Sequence, residues 1–217
     1  MRGGSTVRYE SFQALQADCM TCTRCRLCEG RTNLVFGVGN PEADILFIGE
    51  GPGMQEDLQG EPFVGPSGKL LDKMLESIQL SRSENIYIAN MVKCRPPGNR
   101  DPRPDEQDIC IGWLREQVRF IRPKVIVCLG RIAAQRLISP TFRVTKEHGQ
   151  FIDKKGTLMM GTFHPAALLR NPANKPAAFD DFLALRDKLT TLDAAGTEAL
   201  REDLKTYPPY DPDGLGF

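Results

Sequence analysis

Four short, almost wholly apolar runs, at residues 45–48, 86–89, 125–129 and 158–162, constrain the fold of this chain more than any other feature. Each is too short for a helix, and none alternates polar with apolar as a half-exposed strand would. Helical patterns lie between them. Leu70, Leu71, Met74, Leu75 and Ile78 share one helix face, with Ser67 placed to cap it. Ile109, Trp113, Leu114, Val118 and Ile121 form a second face, ended by Pro123. Ile132, Ala133, Leu137 and Ile138 form a third, and Phe179, Phe182, Leu183 and Leu189 a fourth. Strands apolar on both faces that alternate with helices belong to a parallel sheet covered on both sides. The expectation is an α/β fold: three α/β/α layers around a central four-stranded parallel sheet. Residues 1–206 are expected to form one domain, with an irregular tail at 207–217.

In open α/β sheets, ligands bind beyond the carboxyl ends of the strands. Gly49-Glu50-Gly51-Pro52-Gly53 follows the first run and Asn90 opens the segment after the second. Gly130-Arg131 follows the third, and Phe163-His164-Pro165 the fourth. An acid, an amide and an imidazole are therefore expected at one sheet edge, around a pocket.

The 28 Lys and Arg residues balance 28 Asp and Glu, which excludes a histone-like basic binder but not a local basic patch. Residues 1–18 hold no apolar signal core, and the longest apolar runs fall far short of the ~20 residues of a membrane span. A cytoplasmic protein with reduced thiols is the expectation. Seven cysteines are then a surplus, and an odd number fits poorly with a disulfide framework. Cys19, Cys22, Cys25 and Cys28 recur at every third position, a strong metal-binding pattern. Zinc on all four is one reading. An iron–sulfur cluster that takes further ligands elsewhere is the other, with Cys94 and Cys110 available. Cys128, inside an apolar run, reads as core.

Several segments together carry a resemblance. They are Cys22-Thr23-Arg24-Cys25-Arg26-Leu27, Arg31-Thr32-Asn33-Leu34-Val35-Phe36-Gly37, Gly49-Glu50-Gly51-Pro52-Gly53 with Glu56-Asp57, and Gly60-Glu61-Pro62-Phe63-Val64-Gly65. Asn90-Met91-Val92-Lys93-Cys94-Arg95-Pro96-Pro97 and the stretch from His164-Pro165 to Asn171-Pro172 complete the order. Over roughly residues 15–190 the chain resembles the family-four uracil-DNA glycosylases. The resemblance implies a uracil-DNA glycosylase-like fold and hydrolysis of the bond between deoxyribose and uracil, after the base is flipped from DNA. It also implies a four-iron four-sulfur (4Fe-4S) cluster on Cys22, Cys25, Cys94 and Cys110, leaving Cys19 and Cys28 without assigned roles.

By the same resemblance Phe63 stacks on the base and Glu56 crowds the pyrimidine C5 position. Asn90 offers a donor and an acceptor to the uracil edge, and His164 donates to the charge developing on O2. Glu50 is the acid available to activate water or balance the sugar cation, although family-one enzymes carry an aspartate one place later, where this chain has Gly51. Backbone amides at Gly51 and Gly53 are candidates for uracil O2 or a phosphate. Lys69, Lys93, Arg95, Arg100, Arg103, Arg131, Arg170 and Lys175 are candidates to grip phosphates. The 168–170 segment (Leu168, Leu169, Arg170) is expected to fill the gap left by the flipped base. Partners are expected to be uracil-containing DNA, single- or double-stranded, with no membrane and a monomeric enzyme. Two other classes fit part of the pattern: an iron–sulfur electron-transfer protein on a flavodoxin-like sheet, and a non-catalytic damaged-DNA binder. Covalent trapping of DNA would need a histidine after the Pro-Pro segment, and 98–104 has none.

Overall fold

The computed structural model describes residues 9–194. The four apolar runs are strands β2 (Ile45–Gly49), β3 (Ile86–Asn90), β4 (Val125–Leu129) and β6 (Thr157–Thr162). They pair in parallel in the order β3-β2-β4-β6. The sheet has six strands rather than four. The two-residue β1 (Val38–Gly39) adds antiparallel to β3, and β5 (Phe151–Lys154) adds antiparallel to β6. β5 and β6 form a hairpin whose central residues, Lys155 and Gly156, both have positive φ, as a type I′ turn requires. The expected tail at 207–217 lies outside the described residues.

Side chains alternate across the sheet into two cores. Leu46 and Ile48 of β2 join Leu114, Val118, Ala133 and Leu137 from α4 (Pro104–Ile121) and α5 (Arg131–Leu137). Ile45 and Phe47 join Leu71, Leu75, Phe182 and Leu185 from α3 (Pro66–Glu76) and α8 (Lys175–Ala194). Each of these side chains larger than alanine contributes about 1.5–3 kcal/mol by leaving water. This is the expected three-layer arrangement, and Cys128 lies fully buried in its core.

Two helix details differ from the periodicity. α3 starts at Pro66 with Gly65 as its N-cap, so Ser67 lies inside the helix and caps nothing. In α4 the buried face runs through Cys110, Ile111, Trp113, Leu114 and Val118, and Ile109 is exposed. Below α4 a third apolar cluster gathers α1 (Phe12–Met20), Trp113 and several of the cysteines.

The parallel register aligns the strand ends. Gly49 sits opposite Asn90, and Leu129 opposite Thr162. The segments that follow these strands consequently emerge at one edge of the sheet.

Candidate active site

A cleft of about 650 Å³ opens at that edge. Glu50, Gly51, Gly53, Glu56, Phe63, Asn90, His164 and Arg170 all line it, so eight residues singled out by sequence meet in one place.

Phe63 and His164 are stacked with ring centroids 5.6 Å apart and 30° between their planes. Phe63 has φ 54°, a left-handed backbone that costs a bulky residue about 1–2 kcal/mol. Its loop is held on both sides. Arg82 donates to the carbonyls of Pro62 and Phe63. Glu56 Oε1 accepts the amides of Val64 and Gly65, both at 3.0 Å. Glu56 Oε2 accepts the Gly53 amide at 3.1 Å, which caps α2 (Met54–Gln59). The Glu56 carboxylate thus ties both cleft loops together. The Gly53 amide is engaged by it, and Gly53 itself lines the cleft.

Asn90 ends β3 and is 2% exposed. Its Oδ1 is buried and has no hydrogen-bond partner among the described residues. An amide oxygen in that state costs about 1–3 kcal/mol until a donor arrives. Gly49 makes room for it: a Cβ there would lie 2.4 Å from Asn90 Oδ1 and 2.7 Å from Phe63 Cζ.

His164 caps α7 (Pro165–Arg170) and accepts the Ala166 amide at Nδ1, 3.1 Å away. Burial, with some help from the Arg170 cation, lowers its pKa to about 4. The ring is therefore neutral at pH 7, and because Nδ1 accepts, Nε2 carries the proton and is a donor. Burial pushes the Glu50 carboxyl up to about 7; the Asp101 charge adds to this, while Arg131 and Arg170 oppose it. A group with that pKa accepts protons readily near neutrality.

Leu169, Arg170, Arg131, Lys69, Arg103 and Lys175 are exposed, and of these Arg131 and Arg170 line the cleft. Arg131 pairs with Asp101, and Arg100 makes a two-point contact with Glu106. Arg95 donates to Asn99. Two expectations are corrected. Lys93 is 1% exposed and its ammonium donates inward to the Asn90 carbonyl and Gln117, so it cannot reach a phosphate. Leu168 is fully buried beneath α7 and cannot enter a DNA stack, which leaves Leu169 as the exposed apolar side chain of that segment.

A second, small hollow lies under α4. Cys22, Cys25, Cys28, Cys94 and Cys110 line it, together with Arg31, Lys93 and Trp113. N–H donors point at three of the sulfurs: the Trp113 indole at Cys22 (3.3 Å), the Arg31 guanidinium at Cys94 (3.1 Å) and the Lys93 amide at Cys110 (3.3 Å). Cys19 is buried in the neighbouring apolar cluster and does not line the hollow. Among the described residues, no group of three or more His, Cys, Asp or Glu side chains is arranged to hold a metal ion. Arg82 and Asp101 were not singled out by sequence. Neither lies in a recognisable chemical motif, and each matters only through a neighbour distant in the chain.

Residues 36–185 match the model of the uracil DNA glycosylase superfamily. The chain belongs to the uracil DNA glycosylase superfamily. It is 45% identical over 181 residues to a type-4 uracil-DNA glycosylase of Archaeoglobus fulgidus, covering 80% of this chain and 90% of that one. A type-4 uracil-DNA glycosylase of Thermotoga maritima is 44% identical over 170 residues (77% and 88%), and one of Sulfurisphaera tokodaii 38% over 190 (84% and 86%). No helix among the described residues is long and apolar enough to cross a membrane.

Proposed function

We propose that this chain is a uracil-DNA glycosylase that flips uracil from DNA and hydrolyses its N-glycosidic bond, the first step of base excision repair. The observation that carries this reading is the unpartnered, buried Oδ1 of Asn90, set in one cleft with the neutral imidazole of His164 and the ring of Phe63. Uracil offers matching chemistry: an N3–H for Asn90 Oδ1, an O4 for its amide, and a flat face for Phe63.

As the C1′–N1 bond breaks, negative charge collects on the uracil ring and positive charge on the sugar. His164 Nε2–H stabilises the former at O2, a neutral donor aimed at developing charge. The Gly51 amide is available to assist. Glu50 balances the sugar cation and takes a proton from the water that attacks C1′, so the sugar gains a hydroxyl. Glu56 acts by holding the Phe63 and Gly53 loops against the C5 edge of the base. Arg95, Leu169 and Arg170 face the DNA. The enzyme is a single domain, expected to span 1–206, of which 1–8 and 195–206 lie outside the described residues, and it acts as a monomer in the cytoplasm on single- or double-stranded substrate.

The same reading places a 4Fe-4S cluster on Cys22, Cys25, Cys94 and Cys110. The donor set fits it: thiols around a hollow, with N–H groups directed at three of the four sulfurs. When bound, the cluster supplies structural cross-linking between the N-terminal segment and the loop after β3.

The test is incubation with an oligonucleotide holding one uracil, followed by alkali. Strand cleavage at the uracil position is expected, and an intact strand after treatment with iron-loaded protein would overturn the activity. For the cluster, Cys94→Ala should remove the broad visible absorption and the bound iron. Iron retained at wild-type stoichiometry would exclude Cys94 as a ligand.

A further inference from the structure

Lys93 links the cysteine-lined hollow to Asn90, which lines the cleft. Its main-chain amide donates to Cys110 Sγ, and its neighbour in the chain is Cys94. Its side chain turns the other way, where Nζ donates to the Asn90 carbonyl at 3.0 Å and to Gln117 Oε1 at 2.6 Å. Gln117, fully buried on α4, is itself fixed by donating to the Phe36 carbonyl at 2.9 Å. Both acceptors of the ammonium are neutral.

A buried ammonium with only neutral acceptors is costly unless negative charge lies near it. Thiols at Cys94 and Cys110 become that charge when they ligate iron as thiolates. At the other end, the Asn90 carbonyl is one fixed point of the peptide from which the uracil-reading side chain projects. We propose that Lys93 is a positioning residue that couples the cysteine-lined hollow to the cleft, bracing Asn90 while its charge balances the thiolates. The inference rests on the proposed glycosylase and cluster reading.

The experiment compares iron-loaded wild type with Lys93→Met, which keeps the unbranched shape of the side chain, one atom shorter, and removes its charge and donors. Two readouts are expected to move. The midpoint potential of the cluster shifts to more negative values, because a nearby positive charge favours the reduced state. Single-turnover uracil release at saturating DNA slows about tenfold, the cost of one misplaced buried hydrogen bond, while the DNA concentration for half-saturation stays unchanged. If Lys93→Met yields no folded protein, Gln117→Leu removes one anchor of the ammonium and should slow release in the same way. Unchanged release in the folded variant, or an unmoved potential, overturns the coupling. A wild type that lacks iron or releases no uracil overturns the underlying functional reading instead.

Discussion

Arg82 holds the carbonyl of Phe63 at 2.9 Å, and Phe63 is the residue whose backbone is forced to φ 54° in the wall of the cleft. The same guanidinium donates to the Pro62 carbonyl at 3.0 Å and is itself anchored by Asp72. Strain of this kind persists only where the surroundings over-determine it. Arg82, on the loop after α3, is what keeps the Phe63 ring against His164.

Arg82→Ala should therefore impair the cleft from a distance. Loss of these hydrogen bonds is expected to destabilise the fold by about 2 kcal/mol, a Tm drop of about 4–8 °C for a domain of this size. Uracil release should slow about tenfold as Phe63 relaxes. Thermal melts and single-turnover rates check both, and a normal rate would show that Phe63 needs no such clamp.

Glu50 links activity to stability through pH. Its carboxyl titrates near 4.5 in the unfolded chain and about 7 in the fold, chiefly because burial disfavours the anion. The folded state holds that proton more tightly, so the contribution to stability is full below about 4.5 and is lost as pH rises through about 7. Glu50→Gln cannot ionise. It should melt higher than wild type at pH 8 and equal to it at pH 4. Its release rate should be low and flat, whereas that of wild type rises with pH through about 7. His164, neutral above about 4, should add no limb to this profile between pH 5 and 9.

Gly49 is where Asn90 and Phe63 come closest to the backbone. A methyl group there would meet both side chains at under 3.0 Å. Gly49→Ala should displace Asn90, Phe63 or both, costing about 1–3 kcal/mol as overpacking does. Release at saturating DNA should fall at least tenfold, with DNA affinity retained because the exposed cations are untouched. Equal rates would show that the cleft tolerates a wider floor.

The parts of the molecule that sequence reveals are those dictated by local chemistry. β2, β3, β4 and β6 are legible because strands buried on both faces are apolar almost throughout. β1 is not, since two residues show no period, and in β5 Asp153 and Lys154 disguise an edge strand. Glu50, Asn90 and His164 are legible because each ends a core strand or lies within two residues of its end. Lys93 and Leu168 mislead for one reason: a lone lysine beside a strand end and a leucine beside a His-Pro turn look like surface groups. Only long-range packing, against Gln117 in one case and the core that α7 shares with α3 in the other, buries them. Arg82 is silent in sequence because its partners, Pro62, Phe63 and Asp72, belong to other segments.

In the proposed reaction, neutral His164 and Asn90 together read uracil and stabilise it as it leaves. The most direct measurement is single-turnover release of free uracil from a uracil-containing strand by iron-loaded wild type and by His164→Ala. Wild type should release one uracil per site, and the variant should be slower by about 10²–10³, the usual cost of removing one such donor, with DNA binding intact. No uracil released by wild type, or equal rates for the two proteins, would contradict the account.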